Sequence, residues 1–290
     1  MTLQTQTGAY VAQGALVFGS MALTRGPWNP AHQHAGPPIA LVCGAIEQMA
    51  AKDGFSHVAR LTANLLRPIP VGPLAVEVTT DYLGRNAGHY SARLLDASFD
   101  GNNVPGAASA PRPGKELARF TALVQRANEE ALPARFINTL PGYPSPEAPG
   151  APGASMPAQF PFADGQPGYA ELVEIREARG RNFQGPCSVW FRLNCPLVHG
   201  EPVSPYQRVA VAADSGNGIS AVLDYRRDVF VNFDLTINLL RPPEGEWICL
   251  EAQTFLGEFG SGLAESRLFD ERGLIGRSTQ SLAVRVAKNQ

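Results

Sequence analysis

From residue 231 to 239 apolar and polar side chains alternate strictly: Val231, Phe233, Leu235, Ile237 and Leu239 are interleaved with Asn232, Asp234, Thr236 and Asn238. A period of two predicts a strand with one greasy and one polar face. Strand-like runs follow at 247–256, 262–269 and 277–286, and a matching set at 74–82, 90–98 and 117–124 occupies the first part of the chain. The gaps are short and rich in turn residues, as an antiparallel meander requires. Two segments carry a different pattern. After Pro37-Pro38, which can fill a first helical turn without losing a bond, residues 39–49 supply Ile39, Leu41, Val42, Ala45, Ile46 and Met49. Residues 205–225 predict a second helix, with Val209 to Ala213 ahead of Asp214 and with Gly216 and Gly218 in its middle. A helix apolar around most of its circumference is expected to be enclosed.

The two sets are related by a repeat. Leu61-Thr62-Ala63-Asn64-Leu65-Leu66-Arg67-Pro68 returns 174 residues later as Leu235-Thr236-Ile237-Asn238-Leu239-Leu240-Arg241-Pro242, with one difference in eight positions. So long a period is not that of a solenoid and implies duplication of a whole domain. One enclosed helix per half, followed by long antiparallel strands able to wrap it, describes an α+β double hotdog. The expected division is an N-terminal unit at 1–129, a Pro/Gly-rich linker at 130–168 through which neither helix nor ladder runs, and a C-terminal unit at 169–290. A smaller Gly-rich stretch, 101–114, reads as a surface loop.

Composition narrows the partners. The chain has 290 residues, 44% hydrophobic and 17% charged, with a net charge of −2, so it can fill a sizeable core but lacks the basic excess that nucleic acid demands. Cys43, Cys187, Cys195 and Cys249 lie far apart without a C-x-x-C pair, which fits reduced thiols in a cytoplasmic protein. The apolar stretch 8–23 has no Lys or Arg before it, and no run reaches the length of a membrane span, so no membrane partner is expected. His32 and His34 form an H-x-H without a third ligand nearby, and no metal is expected.

His34-Ala35-Gly36-Pro37-Pro38, Leu65-Leu66-Arg67-Pro68 with Gly72-Pro73-Leu74, and Ser188-Val189-Trp190-Phe191-Arg192-Leu193-Asn194 together resemble the acyl-CoA thioesterases of the type II, TesB-like group. The likeness extends over both halves, with the linker as the main departure. It implies hydrolysis of acyl-CoA to a carboxylic acid and CoA, no cofactor beyond the CoA of the substrate, and a homodimer. It also implies three active-site residues: Asp214, Gln280 in Ser278-Thr279-Gln280-Ser281, and Asn232, at a strand position where some members carry Thr.

The residues support that chemistry on their own terms. Thioester hydrolysis needs a positioned water, a proton acceptor and donors aimed at the developing oxyanion. Asp214 can accept the proton, and the amides of Gln280 and Asn232 can hold the water. Main-chain N–H groups at the start of the first helix, around Gly36 and Pro37, are the expected oxyanion donors. Aligned on the repeat, Asp214 falls opposite Ala40 and Gln280 opposite Ala122, which predicts one complete site per chain. Arg67 and Arg241, after the two repeated strands, could meet CoA phosphates or form strand-end salt bridges. Trp28, Trp190 and Trp247 read as core or interface.

Plainer readings stand beside these. Asp214 could simply cap or solvate a helix end, Gln280 could face water from an edge strand, and Asn232 could share an outer face with Asp234, Thr236 and Asn238. Two other functions compete: a non-catalytic acyl-CoA or lipid-binding module, and a hotdog enoyl-CoA hydratase. The hydratase pattern G-D-x-N-P-x-H is approached by the segment from Gly26 to His32, but Pro27 stands where the acid belongs.

Overall fold

The computed structural model describes residues 8–98, 114–127 and 147–285. The loop expected at 101–114 and the start of the linker therefore fall almost wholly outside the described residues. In chain order the strands are β1 (Tyr10–Gly14), β2 (Val17–Ser20), β3 (His57–Leu65), β4 (Pro73–Leu83), β5 (Ala87–Asp96), β6 (Glu116–Gln125), β7 (Met156–Ala158), β8 (Val173–Arg179), β9 (Cys187–Leu193), β10 (Val229–Asn232), β11 (Asp234–Leu239), β12 (Ile248–Leu256), β13 (Ser261–Asp270) and β14 (Gly273–Arg285). They join in one antiparallel sheet of order β1-β2-β4-β5-β6-β3-β11-β14-β13-β12-β9-β8-β7, with β10 also on β14.

The centre of that sheet explains the repeat. β3 and β11 lie side by side, with Thr62 facing Thr236 and Leu61 facing Ile237. The two copies of the octapeptide thus pair with each other, and the hydroxyls of their matching threonines approach to 3.3 Å. Strand order runs outward from this seam in the same sense on both sides. Thr62 faces Thr121 on β6 as Thr236 faces Thr279 on β14, which sets Gln280 level with Ala122.

Among the described residues four α-helices accompany the sheet: α1 (Gly36–Lys52), α2 (Tyr169–Leu172), α3 (Pro205–Ala213) and α4 (Gly216–Ile219). α1 is buried along most of its length, as its composition demands. It ends where Gly54 takes a φ of +80°, a conformation that costs glycine little. α3 is started by a capping box: the Ser204 hydroxyl accepts from Gln207 N while the Gln207 side chain accepts from Ser204 N. The helices touch closely near Gly36, where a Cβ would come within 2.6 Å of the Val211 carbonyl oxygen, so only glycine fits. Counting from the N-caps, Ala35 and Ser204, Asp214 is level with Ala45 rather than Ala40; the partner position is alanine either way.

Three expectations need correction. The second helix does not run to residue 225: it stops at Ala213, resumes for one turn and ends at Ile219. Gly216 and Gly218 disfavour helix, and the space beside Gly216 is taken by Ser266 Oγ and Gln280 Oε1, 2.9 and 3.0 Å from where a Cβ would be. The latter part of the linker does enter the ladder, because β7 is an edge strand on β8 and tolerates Pro157 there. The uninterrupted strand at 231–239 is broken at Phe233. Asn232 faces Leu282 and Thr236 faces Thr279, so four steps on one strand match three on β14, and Phe233 is the extra residue of a β-bulge.

Candidate active site

That bulge decides where Asn232 points. Leu235, Ile237 and Leu239 face the core, so unbroken alternation would turn Asn232 to the outer face with Asp234 and Asn238. A one-residue slip reverses the faces. Phe233 is driven out, 57% exposed, while Phe230 is buried and Asn232 turns inward. There Asn232 Nδ2 donates to Asp214 Oδ1 at 2.8 Å. Asp234, on the far side of the bulge, instead accepts from Ser281 N.

Asp214 is the C-cap of α3 and only 4% exposed. Its second oxygen, Oδ2, lies 2.9 Å from His34 Nδ1. Two lone pairs at that distance would repel, so a proton sits between them, placed by the hydrogen-bond network. With the carboxylate charged, Nδ1–H donates and Nε2 carries the imidazole's basic lone pair. Gly36 N also approaches Nδ1, at 3.2 Å, and would donate to it only in the opposite tautomer. The ring is held flat against Tyr169, with centroids 3.6 Å apart and planes at 3°. The Tyr169 hydroxyl is fixed by the Val211 carbonyl at 2.9 Å and Ser215 Oγ at 2.8 Å, and burial pushes its pKa up, so it stays protonated. His34 N donates to Thr24 O, which anchors the loop that delivers the ring.

Gln280 behaves differently from expectation. It is inward-facing and 2% exposed on a central strand, and it is not among the residues that line the cavity at Asp214. Its Nε2 donates to the Asp214 carbonyl at 3.1 Å and its Oε1 accepts from Asn217 N at 2.9 Å. One amide therefore satisfies the main-chain donor and acceptor released by the helix break, and fixes the backbone that carries Asp214. Both ends of the amide are engaged by main-chain groups, which ties Gln280 to the backbone that carries Asp214.

Two cavities adjoin at this cluster. The inner one, about 120 Å³, is lined by His34, Asp214 and Asn232 on its polar side and by aromatic rings elsewhere. The outer one, about 280 Å³, reaches Arg67 and His32. Trp28, Val231 and Asn232 belong to both walls, so the two cavities are neighbours beside the Asp214–Asn232 pair. Trp28, 46% exposed and edge-on to Phe230 at 5.2 Å, is thus a cavity wall rather than core, whereas Trp190 and Trp247 are buried with Cys249 and Phe269.

The other sequence candidates divide. Arg67 lines the outer cavity and steadies its guanidinium on the Glu116 carbonyl at 2.7 Å. Arg241, its repeat partner, is committed to Asp270 by two bonds of 2.5 and 2.6 Å and faces neither cavity. Pro37 has no N–H to donate, as Pro38 has none, which leaves Gly36 as the sole early donor of α1. His34 was missed as a functional side chain; its signal was an imidazole two residues ahead of a Pro-Pro helix start. His32 is half-buried in the outer cavity and has no carboxylate partner among the described residues, and none of these contains a helix long and apolar enough to cross a membrane.

Comparison with known proteins agrees with this architecture. Residues 24–135 match the acyl-CoA thioesterase N-terminal domain, and residues 146–284 match the acyl-CoA thioesterase C-terminal domain. A search of curated proteins finds no match. Among solved structures, a protein provisionally assigned as a thioesterase II from Thermobifida fusca YX is 16% identical, with 98% of this chain and 99% of that one covered and a TM-score of 0.66. A hot dog fold protein from Alicyclobacillus acidocaldarius is 16% identical over 97% of both chains, with a TM-score of 0.65. The acyl-CoA thioesterase II TesB2 from Mycobacterium marinum is 14% identical over 97% of this chain and 96% of its own, with a TM-score of 0.60. At such identities the structures speak for the hotdog fold alone.

Proposed function

The chain belongs to the acyl-CoA thioesterase family, whose members are thioester hydrolases, and from that premise we propose that it cleaves acyl-CoA to the free acid and CoA by attack of a water activated at Asp214. The observation that carries this reading is the Asp214 carboxylate, held from both sides by His34 and Asn232 where two cavities adjoin. The matching strand order either side of β3 and β11 supports two hotdog units derived by duplication, with the site on their shared border.

In this reading the acyl group enters the inner cavity and the pantetheine arm lies in the outer one, with Arg67 near the CoA phosphates. The thioester carbon then sits between them. Water attacks it, and its proton passes to His34 Nε2 while Asp214 stabilises the resulting imidazolium through Nδ1–H. The second hydrogen of Asn232 Nδ2, the first being given to Asp214, serves the oxyanion in this reading. Collapse breaks the C–S bond, and the thiolate of CoA takes the proton back from His34. No acyl-enzyme forms. A variant of this mechanism has Asp214, which lines the inner cavity with His34, take the proton itself.

Thiol release from acyl-CoA tests both levels. Asp214→Asn is expected to lower kcat by about 10²-fold or more. Unchanged release would end the assignment. His34→Asn, which can still donate to Asp214, separates the two proton acceptors: a comparable loss identifies His34 as the base, and near-full activity identifies Asp214. A binding module would take up acyl-CoA without releasing thiol. A homodimer is part of this reading, and sedimentation velocity measures it.

A further inference from the structure

Much of the inner cavity's lining is aromatic rings from separate parts of the chain. Phe160 and Phe162 come from the segment after β7, Phe183 from the turn between β8 and β9, and Tyr225 from the loop after α4. Phe162 meets Phe183 at 5.9 Å, Phe183 meets Tyr225 at 5.5 Å, and Phe160 stacks on Phe162 at 4.9 Å. These separations are those of mutually packed aromatic pairs.

This lining is tied down rather than merely packed. Tyr225 Oη donates to the Pro161 carbonyl at 2.7 Å, joining one edge of the wall to the other. Phe183 N donates to the Ile219 carbonyl at 2.7 Å. Phe183 also has a φ of +61°, a left-handed conformation that is uncommon for an aromatic residue and persists where surrounding contacts enforce it.

Beside it lies a wider and more open groove of about 600 Å³, lined by Pro161, Val222 and Leu223 among others. Phe183 and Tyr225 line both spaces. As the two residues common to both linings, they stand between a chamber of about 120 Å³ and a groove several times larger. An apolar cavity of about 150 Å³ in another protein takes a benzene ring, which sets the scale of the smaller chamber.

We propose that Phe183 and Tyr225 set acyl specificity, restricting the substrate to short or single-ring aromatic acyl-CoA and stopping longer straight chains at their rings. The proposal rests on the hydrolase reading for its reaction, but its size rule is a property of binding. The experiment therefore measures both. Non-hydrolysable thioethers, S-butyl-, S-benzyl- and S-dodecyl-CoA, are titrated by calorimetry, and the corresponding butyryl, benzoyl and dodecanoyl thioesters are assayed for thiol release.

The wild-type protein is expected to bind S-benzyl-CoA at least about tenfold more tightly than S-dodecyl-CoA, within the range that a few misfitting methylenes produce. Phe183→Ala and Tyr225→Ala each remove one of these rings, and this preference is expected to fall about tenfold or more. Both side chains are only half-buried, so the variants should fold, which thermal melting checks. Tyr225→Phe keeps the ring and removes the bond to Pro161, and should give a smaller relaxation in the same direction. Equal wild-type affinity for benzyl and dodecyl thioethers overturns the proposal, as does a folded Phe183→Ala protein with the preference intact. Thiol release with no size preference sinks the specificity rule alone. Size-selective binding without thiol release sinks the hydrolase reading alone, and absence of binding by all three thioethers sinks both.

Discussion

Replacing Glu47 with glutamine should abolish a loss of stability that the wild-type protein suffers as pH rises. Glu47 lies on α1, and its Oε2 accepts from the Ser204 hydroxyl at 2.6 Å, with the Cys43 thiol at 3.9 Å. Burial pushes its pKa from 4.5 up to about 7, and the Ser204 bond and the Arg208 charge offset this only in part. The folded state therefore holds this proton more tightly than the unfolded chain. The stabilisation is complete below the unfolded value and is lost as pH rises through the folded one. Moving a carboxyl between those values corresponds to roughly 3 kcal/mol, of which about 2.5 kcal/mol falls between about pH 5 and about pH 8. The amide of the Glu47→Gln variant carries no charge and keeps an acceptor for Ser204. Denaturant melts of both proteins at the two pH values measure the difference: the gap should open in favour of Glu47→Gln at the higher pH by about that amount. Parallel stability profiles would refute the reasoning, because they would mean that Glu47 ionises in the folded protein as easily as in water.

Other side chains give equally direct tests. Gln280→Ala strands Asn217 N–H and the Asp214 carbonyl, so unfolding stability should drop by about 1–3 kcal/mol, and kcat should fall with little change in KM because the aspartate shifts while the cavities remain. Arg241→Met leaves Asp270, which is fully buried, without its guanidinium partner. Burial alone would raise the Asp270 carboxyl, and Arg241 together with Glu244 N and Arg272 N brings it below its ordinary value. That variant should lose about 3 kcal/mol near neutral pH and progressively less as acid protonates Asp270, read by melts in acid and neutral buffer. Arg67→Ala should raise KM for CoA thioesters by about fivefold at low salt and leave truncated pantetheine-type thioesters unaffected, as initial-rate assays would show.

Much of the fold was written in periodicity. The alternating runs became β4, β5, β6, β12, β13 and β14 with small shifts of boundary, because each buries one face over most of its length, although single bulges interrupt the period at Thr80/Tyr82, Leu94/Leu95 and Leu268/Phe269. The repeat supplied the seam. The site was harder to read for identifiable reasons. Asn232 is on a greasy-polar strand whose phase is reset by Phe233, and no local rule marks that residue as the bulge. Asp214 stood out as a carboxylate after an apolar helix, but its partner His34 is 180 residues away and meets it only because α1 and α3 pack side by side. Gln280 was implied by the family resemblance and set off by contrast with Ala122, yet the contrast said only that a polar group was wanted there. Its use, splicing a broken helix, depends on glycines in another element. Phe160 and Phe162 were hidden in a proline-rich stretch that composition assigns to a tether.

The central seam also bears on how the chain can be cut. Because matching threonines face each other across β3 and β11, the bare border of either strand is complementary to itself. A fragment ending after β6 would carry an open edge able to accept a second fragment in the same register that its missing half now occupies. Within one polypeptide that stickiness is consumed internally; in a truncated product it becomes a route to association between molecules.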